Sequence, residues 1–464
     1  MTRVTNTTSD AAAPHPGAQG WSPDSWKTKL AAQQVRYTDR EAVERAVRKL
    51  AAFPPLVTSG EIEHLRELVA SAQRGERFWL QGGDCAESLD ECRPESIASK
   101  LKILLQMSLV LVHGMKKPVI RVGRFAGQYA KPRSSATEVI DGVELPSYFG
   151  DLVNRPEPTV DARTPDPHLM VRGYQHAAVT LNFIRSLIDG GFADLHHPEH
   201  WDLGFLDHAG LKPESRERYR RMADELADAL TFMEALGDRS VDEMGRVDFF
   251  TSHEALNLLY ESAQTRSVPR REGYYNLTTH FPWIGERTRA LDGAHVEYAR
   301  GIRNPVGVKI GPQTTPEELV ATIDALNPGN EAGKLVLITR LGAKHAEEAG
   351  PRLIEAVAGA DRRVLWISDP MHGNTRSTES GVKTRSFEDI LTELEIFIDA
   401  HRRAGTYLGG VHFELTGEDV TECTGGAMGL DDEGLGARYL SPCDPRLNYA
   451  QALEMAFTLA ERMR

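Results

Sequence analysis

Eight short apolar runs recur along the chain: Phe78–Gly82, Val119–Gly123, Asp248–Ser252, Tyr274–Thr279, Val306–Ile310, Leu335–Thr339, Val364–Ser368 and Val411–Phe413. Each is rich in β-branched or aromatic residues, is too short for an independent helix, and closes on Gly, Asp, Ser or a charged side chain. That pattern predicts strands. Between most of them the apolar positions return at helical spacing, as in Pro94–Leu111, Glu286–Ile302, Pro316–Leu326, Ala346–Ala358 and Phe387–Arg403, with Thr315 and Ser386 placed to cap two of these helices. Strands that alternate with helices and carry apolar residues on both faces predict a closed (β/α)8 TIM-type barrel; an open doubly wound sheet is the alternative.

Two amphipathic stretches, Asp39–Ala52 and Ser59–Gln73, precede the first strand and are separated by Pro54 and Pro55, which stop the first helix. The expected organisation is a disordered leader over 1–20, a helical extension over 21–77 and a catalytic barrel over 78–464. The segment between strands two and three is too long for one crossover. It predicts a helical insertion over about 160–245, with helices near Met170–Ile188 and Pro213–Leu236. Such an insertion can serve regulation, an oligomer interface or simple padding of the barrel.

Composition narrows the partners. The 464 residues carry a net charge of −13 and no basic run, which argues against nucleic acid and anionic membrane surfaces. No apolar stretch is expected to reach the length of a membrane span, and the opening segment lacks an apolar signal core, so the cytoplasm is the expected compartment. Four irregularly spaced cysteines, Cys85, Cys92, Cys423 and Cys443, do not form a secreted disulfide framework.

In a barrel of this kind the loops at the carboxyl ends of the strands build the site. Here those ends lead to Asp84 and Cys85, Arg124, His253 and Glu254, His280, Lys309, Arg340, Asp369 and His372, and Glu414. Two groups separate by chemistry. Cys85, His372 and Glu414, with Asp444 as a further candidate, join a thiolate, an imidazole and carboxylates, which suits a borderline divalent metal; Mn2+ is the expected ion and Co2+ the alternative. A lone cysteine at a strand end is more often packing than a ligand, and no paired-cysteine spacing supports metal binding here. Arg124, Lys131, Arg133, Arg287, Lys309 and Arg340 are cations on several loops of an acidic chain, and they imply a small anionic ligand unless each pairs with a structural carboxylate. Cys443 precedes Asp444 and can approach Cys85, so a redox disulfide between the two is a further expectation.

Read together, the segments resemble the type II 3-deoxy-D-arabino-heptulosonate 7-phosphate (DAHP) synthases from Lys29 to Met463. The resemblance rests on Leu80-Gln-Gly-Gly-Asp-Cys85-Ala-Glu87, Gly123-Arg-Phe-Ala-Gly-Gln-Tyr-Ala-Lys-Pro-Arg-Ser134, Ser252-His-Glu-Ala255 and Trp283-Ile-Gly-Glu-Arg-Thr288. Asn304-Pro-Val-Gly-Val-Lys-Ile-Gly-Pro312, Asp369-Pro-Met-His-Gly-Asn-Thr375, Gly410-Val-His-Phe-Glu-Leu-Thr-Gly-Glu418 and Cys443-Asp-Pro-Arg446 extend it. It implies condensation of phosphoenolpyruvate with erythrose 4-phosphate, the first step of the shikimate pathway.

It also implies roles. Cys85, His372, Glu414 and Asp444 would hold the metal, and Arg124, Arg287, Lys309 and Arg340 would hold phosphoenolpyruvate, helped by the Trp283–Arg287 loop. Lys131 would meet the aldehyde as its proton donor, with Arg133 and Ser134 at the sugar phosphate. Glu414 or Glu286 would orient water. A homo-oligomer, dimer or tetramer, and aromatic-amino-acid effectors are implied partners. The N-terminal Lys29-Leu-Ala-Ala-Gln-Gln34 string departs from the family's Lys-Pro-Ala-Ala-Gln-Gln, and Thr38 stands where Pro is usual. The rivals are a synthase using arabinose 5-phosphate, against which the Lys131–Ser134 string argues, a catalytically silent regulatory barrel, and the same reaction serving a secondary-metabolite route.

Overall fold

Within each apolar run successive side chains point to opposite faces, and in this chain both faces find a packing partner. The computed structural model describes residues 20–190, 206, 213–235 and 248–464; the expected leader lies almost wholly outside them. Eight parallel strands close into a barrel: β1 (Phe78–Gly83), β2 (Val119–Arg124), β3 (Phe249–Glu254), β4 (Phe281–Ile284), β5 (Val306–Ile310), β6 (Leu335–Thr339), β7 (Leu365–Ser368) and β8 (Gly410–Glu414). The order around the barrel is that of the chain, with β8 returning beside β1. The open-sheet alternative falls.

One strand is not where its sequence pointed. Tyr274–Asn276 forms a small antiparallel pair with Thr265–Ser267, and the fourth barrel strand is Phe281–Ile284. Pro282 disguises it, because a proline inside a run argues against a central strand; here it sits opposite His253 in the β3–β4 pairing while Phe281 and Trp283 pack inward. His280 therefore precedes its strand. It lies at the amino end of the barrel, where its Nδ1 accepts from the Thr251 backbone and its Nε2 is 3.7 Å from Glu61.

The interior is layered. Trp79, Ile120, Phe250, Phe281, Val336 and Leu365 fill the lower barrel together with Leu65, Leu68, Val69 and Ala72 of the helix Ser59–Gln73, which plugs the amino end. A capping box, in which the Thr58 hydroxyl accepts from Glu61 N and Glu61 accepts from Thr58 N, starts that plug. The alternate residues Phe78, Leu80, Val308, Leu337, Trp366, Val411 and Phe413 face outward into the helical ring. Each such buried side chain contributes about 1.5–3 kcal/mol relative to exposure.

The helices follow their predicted segments closely: Arg40–Ala52, Ser59–Gln73, Pro316–Leu326 and Phe387–Arg403, with Thr315 and Ser386 accepting capping bonds from the backbone. Glu286–Ile302 is not one helix. It splits into a 3-10 turn, Glu286–Thr288, and a helix, Ala294–Arg300, which leaves Arg287 on a loop. The helix Pro94–Met115 is long and apolar enough to cross a membrane by length and composition alone, which corrects the expectation from sequence, but it is mostly buried between the barrel and the last helix, Tyr449–Arg462. The segment after β2 carries a hairpin, Thr137–Ile140 with Val143–Pro146, before the helices His168–Asp189 and Pro213–Ala235.

Candidate active site

Where the strands end, the inward positions change from apolar to charged. They surround an open cavity whose lining includes Cys85, Arg124, Lys131, Lys309, His372 and Glu414. Gly83 makes the first turn of this mouth: its φ of 145° is open to glycine, and a Cβ there would meet Phe125 and the Cβ of Arg124. The chain then brings Cys85 into the cavity wall.

One corner gathers the mixed donors. Cys85 Sγ, a Glu414 oxygen and an Asp444 oxygen all lie within 4.8 Å of one another. His372 joins them, with Nε2 3.0 Å from Glu414 Oε1, while its Nδ1–H donates to Asp369 Oδ2 at 2.7 Å. Asp369 thereby holds the Nδ1 proton and orients the ring, which leaves Nε2 as the nitrogen that would face a bound cation. A thiol, an imidazole and two carboxylates converging from β1, β7, β8 and the last loop fit a borderline divalent cation.

Lys131 stands at the edge of this corner, its Nζ 2.9 Å from Cys85 Sγ and 2.8 Å from Asp444 Oδ2. Burial would lower its pKa, but the thiols and carboxylates around it raise it well above the usual range, so it is held protonated. Burial, with the Cys443 thiol and the Glu414 and Asp444 carboxylates, pushes the Cys85 thiol far up against the opposing charge of Lys131; a bound cation would reverse that by stabilising the thiolate. Glu414 is pulled the other way. The His372, Arg385 and Arg124 cations outweigh its burial and hold it ionised.

Cations border this corner. Arg124 donates to Glu414 Oε1 at 3.1 Å and to the Cys85 carbonyl at 2.9 Å. Lys309 is ion-paired with Asp369, and Arg340 donates to the His372 carbonyl at 3.1 Å. Arg287 also lines the cavity, is exposed, and has no hydrogen-bond partner among the described residues. The Trp283 ring forms the backing, with the Arg124 guanidinium 5.3 Å and the Lys309 ammonium 5.9 Å from its centroid.

Several residues of this mouth carry no signal in the one-dimensional pattern. His412 lies two residues before Glu414 on β8 and therefore also points inward; its Nε2 accepts from Arg124 at 2.6 Å and lies 3.2 Å from Lys309. Burial and the Lys309 charge hold it neutral. The inward period of the strand was the available clue. Arg385 binds Glu414 Oε2 at 2.6 Å and Lys383 binds Asp444 Oδ1 at 3.1 Å, both from a hairpin after β7. Glu254, by contrast, was among the groups expected at a strand end, and it lines the cavity with Oε1 buried and unpartnered, burial raising its carboxyl pKa.

Other predicted groups lie elsewhere. Asp84 pairs with Lys100 and Arg446 beside the wall, and His253 faces outward to Glu261 at 2.8 Å. With His280 at the amino end, three groups expected at the mouth are absent from it. Arg133 and Ser134 border the cavity next to Lys131 and Pro132 without lining it; the Arg133 guanidinium donates to Glu138 at 2.7 Å and Ser134 is exposed. Glu286 lines the cavity, 3.2 Å from Arg289 Nε, with its other oxygen unpartnered. Cys85 and Cys443 pack together as free thiols.

This geometry can be set beside known proteins. The sequence model of the class-II DAHP synthetase family matches residues 21–460. The chain belongs to that family. The match spans every residue of the mouth, and the resemblance drawn from the motifs holds across the chain. Phospho-2-dehydro-3-deoxyheptonate aldolases from Neurospora crassa and Streptomyces coelicolor are each 47% identical, the first over 97% of this chain and 95% of its own length, the second over 95% and 97%. A protein of the same name from Mycolicibacterium smegmatis is 43% identical over 95% of this chain and 94% of its own.

Proposed function

We propose that the chain condenses phosphoenolpyruvate, erythrose 4-phosphate and water to DAHP and inorganic phosphate. The single observation that carries this reading is one cavity with a soft-and-hard donor corner bordered by cations, in a chain whose curated relatives carry the aldolase name. Arg124, Arg287, Lys309 and Arg340 hold phosphoenolpyruvate against Trp283. Lys131 reaches the aldehyde, and Arg133 and Ser134 receive the sugar phosphate at the rim.

Cys85, His372, Glu414 and Asp444 would hold a divalent cation, Mn2+ first and Co2+ second, which would supply Lewis-acid polarisation of the aldehyde. In the bond-forming step the enol C3 attacks the aldehyde carbon, the carbonyl pair moves to oxygen, and Lys131 gives that oxygen a proton. Water then adds at C2, and phosphate leaves with its bridging oxygen as the C2 ketone forms. Glu414, Glu286 and Glu254 line the cavity, where a carboxylate can orient that water and take its proton. The cations offset the repulsion between two phosphorylated substrates and hold them in a reactive pose. A dimer or tetramer and aromatic-amino-acid effectors belong to the same reading.

The test is consumption of phosphoenolpyruvate with erythrose 4-phosphate or arabinose 5-phosphate, each with and without chelator. Turnover with erythrose 4-phosphate that chelator abolishes and added Mn2+ restores is the expected result. Its absence overturns the reading, and preference for arabinose 5-phosphate reassigns the aldehyde.

A further inference from the structure

Lys131-Pro-Arg133 is held by two backbone bonds. The Lys131 N–H donates to the Phe149 carbonyl at 2.9 Å, and the Arg133 N–H donates to the side-chain oxygen of Gln33 at 2.8 Å. Pro132 has no N–H, so the second bond is the next opportunity to fix the segment before it becomes exposed at Ser134.

Gln33 comes from a different part of the chain, the strap that crosses from the N-terminus to the first helix. The strap is tied at Leu30, whose carbonyl accepts from Ala294 N at 3.0 Å, and at Gln34, whose amide donates to the Leu256 carbonyl at 2.6 Å. Between strap and barrel lies an apolar cleft lined in part by Gln33, Ala130 and Phe149, and the Gln33 bond crosses there as a polar tie. Gln33 has a φ of 60°, a left-handed conformation that a non-glycine residue adopts at a cost. The turn that aims its side chain at Arg133 is thus one that glycine would form more cheaply without supplying the acceptor.

We propose that Gln33 is a positioning residue for the aldehyde substrate, setting the register of Lys131 and Arg133 through the Arg133 backbone. The inference rests on the reading of Lys131–Ser134 as the erythrose 4-phosphate subsite. It makes the N-terminal strap part of that subsite's scaffold while leaving the phosphoenolpyruvate wall independent of it.

The experiment compares Gln33→Met, which keeps length and removes the acceptor, with Gln33→Glu, which keeps an acceptor, in the full chain. Initial rates are measured against each substrate in turn, together with bound metal. Gln33→Met raises KM for erythrose 4-phosphate about three- to tenfold, the worth of one hydrogen bond, with KM for phosphoenolpyruvate and metal content unchanged. Gln33→Glu returns KM to within about twofold of the parent. Should Gln33→Met fail to fold, Gln33→Gly reads the same effect, because it removes the acceptor while relieving the left-handed backbone.

An unchanged KM for erythrose 4-phosphate, a parallel rise for both substrates, or no rescue by Glu overturns the proposal. Arg133→Ala separates the two readings. If it raises KM for erythrose 4-phosphate and Gln33→Met does not, the role of Gln33 alone is lost; if Arg133→Ala changes nothing, the subsite reading falls and this proposal with it.

Discussion

The floor and the mouth of the barrel are built by the same eight strands, yet they obey opposite chemistry. On β1 and β2 the inward residue changes from Trp79 to Gln81 and from Val122 to Arg124 within two positions, and on β8 from Gly410 to His412 and Glu414. The floor is apolar and closed by the helix Ser59–Gln73. The mouth buries Arg124, Lys309, Asp369, His412, Glu414 and Arg385, groups whose desolvation is repaid only by one another or by a ligand. The lesson is a division of labour along each strand: burial at the floor sustains the fold, and pre-organised charge at the mouth serves the reaction.

The sharpest way to break that division is Cys85→Ser. It changes one atom at the donor corner, and an alcohol is a poor replacement for a thiolate ligand. Loss of several kcal/mol of charge stabilisation lowers turnover on the order of 1,000-fold, with weaker Mn2+ retention by elemental analysis and an unchanged melting temperature of the metal-free protein. Full metal content with a full rate would remove Cys85 from the ligand set.

Leu65→Ala attacks the floor instead. Leu65 is fully buried in the plug, so its truncation leaves a cavity costing about 2–5 kcal/mol. The expected outcome is a lower melting temperature with kcat and both KM values intact at a temperature where the variant is folded. A fall in kcat comparable to that of a mouth variant would show that the floor transmits strain to the site.

Within the mouth, Arg287→Ala is a cleaner probe than Arg340→Ala. Arg340 also donates to the His372 carbonyl, so its removal disturbs one of the proposed metal ligands, whereas Arg287 is exposed and bonded to no described residue. Loss of one charge-assisted contact, about 1.5–3 kcal/mol, raises KM for phosphoenolpyruvate roughly 10- to 100-fold with stability unchanged. An unaltered KM would place the phosphoenolpyruvate site elsewhere.

The two regions also differ in how far they could be read from sequence. Seven strands were legible because β-branched runs such as Val306–Ile310 and Leu335–Thr339 are apolar on both faces, and the barrel followed from their alternation with helices. Pro282 hid the eighth and carried His280 from the floor to the mouth in the expectation. At the mouth, groups at or just beyond the carboxyl end of a strand were found, as Lys309, Cys85 and Arg340 were. Arg385 was not, since it reaches Glu414 from a polar hairpin and only the folded chain brings the two within 2.6 Å. His412 was missed for a different reason, being a polar residue inside a strand otherwise read as core.

A pH-dependent effect concerns a carboxyl group that braces the mouth without entering it. Glu393 sits on the helix Phe387–Arg403, buried, with Oε1 accepting from Leu341 N at 2.8 Å and Oε2 from the Asn374 amide at 2.7 Å. It thereby ties the loop after β6, which carries Arg340, to the loop after β7, which carries His372. Burial pushes its pKa up to about 8. Between the ordinary carboxyl range and that value the folded chain binds more protons than the unfolded one, so this group's contribution to stability is greatest at low pH and is lost as pH rises through the window. Glutamine at 393 cannot ionise, and its amide meets the Asn374 amide, so Glu393→Gln adds a roughly constant penalty on which the pH dependence is superimposed. The difference in stability between parent and variant should therefore move in the variant's favour by up to about 1.4 kcal/mol per pH unit from pH 5 to 8 and level off above. Melting curves of both proteins across that range read the slope directly, and a difference independent of pH would mean that Glu393 ionises normally and that the brace is charged wherever the enzyme works.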